Sequence, residues 1–254
     1  MANKYVNFIP DQHLLDCIKN LFKAYLRAKN NITKRSFYKN KVDTIKLTFD
    51  AKFNDINEDD LIQSEILRQI DKSINNSIGT FHEQILGGIE GYEVGFLNGF
   101  DIKATDNTLF ADIKNKHNTM NSSSAEALFQ KLARYADDYK KAKCYWVQIL
   151  AKGSFNENWR GEINGKEYSH SRVFKISGDQ FYALLSGQND ALFQLYKALP
   201  SAIKDYLESV EKDDSIIQNS ALDEIASETE KSKRSILDQI TFENYSYYLG
   251  FEKL

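Results

Sequence analysis

Two aspartates and a lysine of this chain have the residue types and the spacing that suit metal-assisted hydrolysis. Asp101, Asp112 and Lys114 flank the turn dipeptide Asp106-Asn107, and strand-forming residues lie on both sides of that turn. Asp and Asn tolerate positive φ, so the pattern predicts a β-hairpin with a two-residue loop. The chemistry depends on whether the hairpin brings the three side chains to one face.

The register of the hairpin decides this point. Counting outward evenly from the turn dipeptide places Asp101 opposite Asp112, and directly opposed residues share a face of the sheet. Alternation along the second strand adds Lys114 to the same face. The apolar residues of that strand point to the other face, toward a core: Leu109, Ala111 and Ile113.

The predicted face suits hydrolysis of a phosphate ester. Two opposed carboxylates repel one another, and a divalent cation relieves that repulsion. Mg2+ typically takes one or two protein carboxylates and completes its shell with water and substrate phosphate. A lysine beside the ion can orient or deprotonate an attacking water, or neutralise charge at the phosphodiester. Asp106 ranks second as the first carboxylate, because the register places it in the turn.

These residues resemble a known nuclease motif. Asp101, followed after the hairpin by Asp112-Ile113-Lys114, is similar to the D…(D/E)-x-K signature of the PD-(D/E)XK nucleases, with Phe100 at the position of the proline. The run FADIKNKHNTMNSSS, residues 110–124, resembles the type II restriction endonucleases that cut GGNCC. The resemblance extends from about residue 79 to residue 187.

The resemblance carries expectations about fold, cofactor and ligands. It implies an α/β fold of the restriction-endonuclease type, with a central mixed sheet flanked by helices and helical additions at both ends of the chain. It also implies Mg2+ as the cofactor, held by Asp101, Asp112 and the Ile113 carbonyl, with Lys114 positioning the water. A solvated surface turn is the alternative reading, and the apolar alternate positions favour a half-buried strand instead.

A third carboxylate is expected from the helix before the hairpin. Isoleucines at helical spacing predict a helix from near Asp59 that Gly87-Gly88 ends. In the nucleases that the chain resembles, an acidic residue of this helix often joins the metal site, which implies this role for Glu83. Glu90 and Glu93 are alternatives, and His82 is expected to pack rather than to bind an ion.

The loop after the motif is rich in short polar side chains that can contact phosphates or base edges. Such residues also cluster in loops and helix caps for conformational reasons. Ser123-x-x-Glu126 predicts a capping box at the start of the next, amphipathic helix. The loop residues expected to contact DNA are Lys116, His117, Asn118 and Asn121.

A second hairpin is predicted around the Asn164-Gly165 turn, which is among the strongest short-range hairpin signals. A two-stranded ribbon fits the major groove, and arginine binds guanine with two hydrogen bonds. Arg160 and Arg172 are therefore expected to read guanines. The alternative is a solvated edge hairpin.

Composition permits this function without suggesting it. The chain has 254 residues, 42% of them hydrophobic, and a net charge of −3, which excludes a uniformly basic DNA binder. We predict an N-terminal helical, basic region over 1–58, a nuclease core over 59–200, and a C-terminal helical extension over 201–254, together forming one domain. The aromatic run 240–251 is expected to be a final strand or a subunit contact.

Cysteine usage and hydropathy bear on the compartment. Cys17 and Cys144 lie in apolar patterns, without the spacing of a disulfide framework or a zinc site. Polar residues interrupt every apolar run before it reaches the length of a membrane span. We therefore expect a cytoplasmic protein.

The sequence predicts a Mg2+-dependent type II restriction endonuclease that cuts both strands of a short palindromic duplex, with GGNCC implied by the resemblance. A twofold-symmetric site favours a homodimer, and a cognate DNA methyltransferase is expected in the same system. A repair or recombination nuclease of the same superfamily, a non-catalytic DNA-binding protein, and a structural helical protein with an incidental D-x-K are the alternatives.

Overall fold

The computed structural model describes residues 3–30, 32–95, 99–117, 120–210 and 221–245. The helices in these ranges are α1 Asp11–Asn30, α2 Lys34–Lys39, α3 Thr44–Asn54, α4 Glu58–Gly87, α5 Ser122–Asp138, α6 Gly178–Ser186, α7 Ala191–Ser209, α8 Ala221–Ser232 and α9 Ile236–Tyr245. The strands are β1 Tyr92–Val94, β2 Ile102–Ala104, β3 Leu109–Lys116, β4 Lys143–Leu150, β5 Asn156–Ile163 and β6 Lys166–Ser177. Among the described residues, no helix is both long and apolar enough to cross a membrane.

The chain divides into two units that differ from the expected segments 1–58, 59–200 and 201–254. Unit 1 comprises Met1–Leu21 and Ile78–Glu211, and unit 2 comprises Phe22–Ser77 and Lys212–Leu254. The division falls inside α1 and inside α4, because one end of α4 packs in the core of each unit. An uninterrupted helical repeat gives no sign of the residue at which its packing partners change.

Unit 1 contains a six-stranded mixed sheet with the strand order β1-β2-β3-β4-β6-β5. β1, β2 and β3 are antiparallel, β3, β4 and β6 are parallel, and β5 is antiparallel to β6. One face packs on α1, α4, α6 and α7, and α5 covers part of the other. This arrangement confirms the predicted α/β class with a central mixed sheet flanked by helices.

The first hairpin has the predicted register and a longer loop. Ile102 lies opposite Ala111 and Lys103 lies opposite Phe110. Asp101 comes just before these paired residues, and its N–H donates to the Ala111 carbonyl at 3.0 Å. The two-residue loop is wrong: the strands end at residues 104 and 109, which leaves a four-residue loop.

The side chain of Asp106 explains the longer loop. The Thr108 N–H donates to Asp106 Oδ1 at 3.0 Å, so it is not available to pair across the turn. The Asn107 N–H donates to the Ala104 carbonyl at 2.9 Å, with Asn107 at a φ of 60°. The loop remains centred on the dipeptide 106–107, and the register is therefore unchanged.

The second hairpin, β5 and β6, is confirmed. Asn164 and Gly165 have φ values of 52° and 75°, as a two-residue turn of type I′ requires. Its tip is anchored to α5, because Glu126 accepts hydrogen bonds from Asn164 Nδ2, at 2.8 Å, and from the Tyr168 hydroxyl.

Two local expectations are wrong. α5 is capped by Asn121, whose Oδ1 accepts from the Ser124 N–H at 2.8 Å, so the helix begins two residues earlier than a cap at Ser123 implies. Residues 240–245 belong to α9, so the strand alternative for the aromatic run is wrong there, and the subunit-contact alternative stays a prediction. The rest of the aromatic run lies outside the described residues.

Unit 2 is a helical unit with its own core, formed by residues that include Phe37, Ile62 and Ile240. Part of the basic N-terminal charge is neutralised within the unit, because Lys34 pairs with Glu228 and Lys46 pairs with Asp50. The charged stretches noted in the sequence are therefore at least partly the solvated faces of helices α2, α3 and α8.

A glycine pair tests the packing of the sheet in unit 1. A Cβ on Gly178 would lie 2.7 Å from the Ile149 carbonyl oxygen and 2.8 Å from its Cα, whereas a Cβ on Gly79, in α4, meets nothing within 4 Å. We expect Gly178→Ala to lower the free energy of unfolding by about 1–3 kcal/mol, because backbone atoms must move. Gly79→Ala is expected to raise it by about 0.5–1 kcal/mol. Chemical denaturation measures both, and equal stabilities would contradict the packing described here.

Candidate active site

The hairpin brings together the three motif side chains, which come from β3 and from Asp101 just before β2. Lys114 Nζ lies 2.5 Å from Asp112 Oδ1, and Asp112 is only 8% exposed. Asp101 Oδ2 accepts a hydrogen bond from the Ile113 N–H at 2.5 Å. The carboxylate that precedes the hairpin thus holds the backbone of the strand that carries the other two groups.

The same hydrogen bond orients the Ile113 carbonyl. In an extended strand, the N–H and the C=O of one residue point to the same side. The Ile113 N–H points to Asp101, so the Ile113 carbonyl is directed toward the same edge of β3. β2 does not cover this edge at Ile113, because the pairing of β2 with β3 begins with Ile102 opposite Ala111.

Glu83 on α4 is electrostatically coupled to this pair. Burial, together with the nearby charges of Asp101 and Asp112, raises the pKa of Glu83 to about 7, while Lys114 opposes the rise. Burial also raises the pKa of Asp101, an effect that the Ile113 N–H counteracts and the Asp112 charge reinforces. Glu83 and Asp101 therefore share an environment that disfavours their charged forms.

The alternatives to Glu83 lie elsewhere. Glu90 is exposed, and Glu93 pairs across β1 and β2 with Lys103 at 3.0 Å. Asp106 is exposed in the turn, where hydrogen bonds from Thr108 lower its pKa. His82 accepts or donates a hydrogen bond with the Tyr182 hydroxyl at 2.9 Å, and burial lowers its pKa to about 4, so it packs as a neutral ring.

The donor set fits a divalent cation that completes its shell with other ligands. Asp112 Oδ1 is buried and accepts no hydrogen bond of good geometry, although the Lys114 ammonium lies beside it. Within the described ranges, no group of three or more His, Cys, Asp or Glu side chains is gathered closely enough to hold an ion by itself. Mg2+ and similar ions need only one or two protein carboxylates beside water and phosphate.

Two residues that sequence reasoning missed lie at this site. Lys131 of α5 reaches Asp112, with Nζ 3.1 Å from Oδ2. Gln148 of β4 lies opposite Lys114 and is 7% exposed, without a side-chain hydrogen bond to another described residue. The signal for Gln148 was its polarity in an otherwise apolar strand. Lys131 follows the core residue Leu128 by three positions and therefore flanks the buried face of the helix.

The residues after the motif that are expected to contact DNA differ in their exposure and in their hydrogen-bond partners. Lys116 is exposed at the end of β3, and His117 extends the pairing with β4, since its N–H donates to the Leu150 carbonyl at 3.1 Å. Asn121 uses its Oδ1 to cap α5. Asn118 lies outside the described residues.

The structure does not bring Arg160 and Arg172 to the carboxylates. Lys114, Gln148 and Ser177 are level across β3, β4 and β6. Arg172 precedes Ser177 by five residues, about 17 Å along a strand, and Arg160 pairs with Ser169, about 26 Å away. The Arg172 guanidinium lies 3.7 Å from Asp137 and also donates to the Lys140 carbonyl.

The Arg160 side chain, in contrast, is exposed on β5, without a hydrogen bond or ion pair to any other residue that the structure describes. Both arginines therefore belong to a ribbon that extends away from the motif, toward the beginning of β3 and β4. A contact between this ribbon and a duplex would involve base pairs at a distance from the carboxylates.

A mixed sheet whose parallel strand β3 carries D-x-K, with a coupled aspartate and glutamate beside it, defines a metal-dependent nuclease of the restriction-endonuclease class. The family model of the Eco47II restriction endonuclease matches residues 6–208, and the chain belongs to this family. Type II restriction enzyme Sau96I of Staphylococcus aureus is 40% identical over 266 residues, which cover 99% of this chain and 100% of the relative. Type II restriction enzyme Eco47II of Escherichia coli is 27% identical over 209 residues, 78% of this chain and 87% of the relative.

These matches confirm the resemblance noted in the sequence. They also confirm the predicted enzyme class, a type II restriction enzyme that cleaves DNA site-specifically. Restriction enzymes act on double-stranded DNA and generally depend on a divalent metal ion, which agrees with the donor set around Asp112.

The raised pKa of Glu83 predicts a pH-dependent stability in the metal-free protein. In an unfolded chain Glu titrates near 4.3, and in the folded protein Glu83 titrates at about 7. Between these values the folded state binds the extra proton, so stability falls as pH rises and the loss is complete above about pH 7. In EDTA at pH 8, we expect the free energy of unfolding of Glu83→Gln to exceed that of the wild type by about 1–2 kcal/mol, after allowance for screening.

The difference between wild type and Glu83→Gln should disappear toward pH 4, where both forms are uncharged. Denaturation in EDTA at pH 4, 6 and 8 measures it, with the exposed Glu90→Gln as the matched control. A difference that does not change with pH would show that Glu83 lies outside the coupled group.

Proposed function

We propose that this restriction enzyme uses Mg2+ to hydrolyse both strands of a short palindromic duplex site, with GGNCC as the target. The observation that supports the proposal is the proximity of Asp101, Asp112 and Lys114: Lys114 Nζ lies 2.5 Å from Asp112, and the Asp101 carboxylate accepts the N–H of Ile113, which lies between them in the chain. The target sequence rests on the resemblance of residues 110–124 to the enzymes that cut GGNCC.

We assign the roles from position and charge. Asp101, Asp112 and the Ile113 carbonyl hold the metal ion, and Glu83 contributes a carboxylate to the same site. A bound Mg2+ supplies Lewis-acid polarisation of the scissile phosphate and a water of lowered pKa. Lys114, whose side chain is 34% exposed, turns from Asp112 to the attacking water and offsets the charge that develops on the phosphate.

We propose that DNA is held by the loop after β3 and by the β5–β6 ribbon. Lys116, His117 and Asn121 follow the catalytic strand directly, and they are positioned to contact the backbone near the scissile bond. Arg160 is exposed and is the first choice for a guanine contact in the major groove. Arg172 is a weaker choice, because it must first leave Asp137.

The biological setting follows from the same proposal. A palindromic duplex is cut in both strands most simply by a twofold-symmetric homodimer, and the host's own copies of the site require a cognate DNA methyltransferase. The two buried cysteines, Cys17 and Cys144, are free thiols, which is typical of the reducing cytoplasm.

Cleavage of bacteriophage DNA tests the activity and the site together. With Mg2+, the wild type is expected to produce fragments whose ends share one palindrome, and EDTA should abolish cutting. Asp112→Asn should slow cleavage by at least about a thousandfold while duplex binding persists. The substitution removes a carboxylate charge that the cleavage step requires and removes no proposed DNA contact. Sequencing of the fragment ends measures specificity, and gel-shift titration measures binding.

Asp106→Asn is the matched control, because Asp106 is an exposed aspartate of the same hairpin. Equal losses in the Asp106 and Asp112 variants would contradict the assignment of the carboxylates. Cleavage restricted to branched or damaged DNA would instead indicate a repair or recombination nuclease, and binding without any cleavage would indicate a DNA-binding protein.

Sedimentation of the enzyme tests the proposed homodimer. On a short duplex with one target site, in EDTA, we expect a complex with two chains of 29.3 kDa each, because each subunit cuts one strand. The same duplex with a scrambled site serves as the control. A single chain bound at the target, at concentrations that support cleavage, would contradict the dimer.

A further inference from the structure

The catalytic carboxylate of β3 contacts two lysines, one on each of its oxygens. Lys114 lies beside Asp112 Oδ1, and Lys131 Nζ lies 3.1 Å from Oδ2. Lys131 comes from α5, a different element, and its side chain is 29% exposed. Holding a long, flexible side chain beside a buried carboxylate costs conformational entropy, so this second contact calls for an explanation.

An aromatic ring holds the Lys131 ammonium at this place. Nζ lies 4.5 Å from the centroid of the Phe100 ring, a distance typical of a cation–π interaction. Phe100 is 3% exposed and packs edge-on against Tyr135 of α5, with ring centroids 4.3 Å apart. Phe100 stands where the D…(D/E)-x-K motif has a proline, so the departure from the motif supplies the surface on which Lys131 rests.

The formal charges of the site give Lys131 a consequence. Glu83, Asp101 and Asp112 contribute three negative charges when ionised, and Lys114 and Lys131 contribute two positive ones. A divalent cation changes the total from −1 to +1. Without Lys131 the loaded site would be neutral. A phosphodiester carries one negative charge, and a positive site attracts it.

We propose that Lys131 is a positioning residue of the active site, whose charge beside Asp112 Oδ2 keeps the metal-loaded site positive toward the scissile phosphate. The proposal rests on the proposed metal-dependent cleavage. It predicts two effects of opposite sign: Lys131 weakens metal binding in the free enzyme, because like charges repel, and it accelerates cleavage. A residue that only supports the fold would not produce this combination.

The experiment compares Lys131→Met, which keeps the aliphatic stem, with Lys131→Arg, which keeps the charge. Lys141→Met is the matched control, because Lys141 is an exposed lysine just after α5. Calorimetric titration with Mg2+, without DNA, measures metal affinity. Single-turnover cleavage at saturating Mg2+ measures the rate. Thermal denaturation confirms that each variant is folded, and Lys131→Gln replaces the methionine variant if that one is not.

We expect Lys131→Met to bind Mg2+ about tenfold more tightly than the wild type, because a positive charge near the ion is removed. We expect its cleavage to be slower by about 10- to 100-fold, because the loaded site loses the positive charge that attracts the scissile phosphate. Lys131→Arg should restore the wild-type Mg2+ affinity and part of the rate. Lys141→Met should match the wild type in both measurements.

Unchanged Mg2+ affinity in a folded Lys131→Met enzyme would overturn the proposal, and so would unchanged cleavage. A loss of affinity in this variant would also overturn it, since that result indicates support of the ligand without charge balance. The failure of the proposed function is distinguishable from these outcomes: a wild type that cuts no DNA refutes the function, while the Mg2+ titration still tests the effect of the Lys131 charge.

Discussion

Mutual repulsion among Glu83, Asp101 and Asp112 is the constraint on which the rest of the site depends. Burial and the neighbouring carboxylates raise the pKa of Glu83 and of Asp101, so the fold must hold these groups together against an electrostatic cost. The backbone does this for Asp101, which lies just before β2 and accepts the Ile113 N–H of β3. Packing of α4 in the core of unit 1 brings Glu83 to the same place.

Local patterns were sufficient to predict the elements that carry this constraint. The alternation of β3 identified both its faces, and the turn dipeptide identified the register in which Lys103 lies opposite Phe110. Glu83 came from the resemblance of the motif rather than from the spacing of the helix. The isoleucine repeat predicted α4, and Asn164-Gly165 predicted the second hairpin, because in each case the interactions that form the element are close in sequence.

The failures have a common physical origin in competition between alternative partners. Asp106 accepts the Thr108 N–H and lengthens the loop, and Asn121 takes the cap that a pattern at Ser123 had suggested. Lys131 and Gln148 were missed because their relation to Asp112 and Lys114 depends on how α5 and β4 pack, which no local spacing reveals. The two-unit division was missed for the same reason, since it falls within continuous helices.

The β5–β6 ribbon, which we propose for recognition, lies apart from the proposed catalytic residues along the length of the strands. Arg160 and Arg172 lie about 26 and 17 Å from the level of Lys114, and Glu126 of α5 anchors the ribbon tip. Substitution of an exposed ribbon residue such as Arg160 removes no contact of the acidic cluster. A scaffold built in this way can acquire a new target preference during evolution without first rebuilding its cutting machinery.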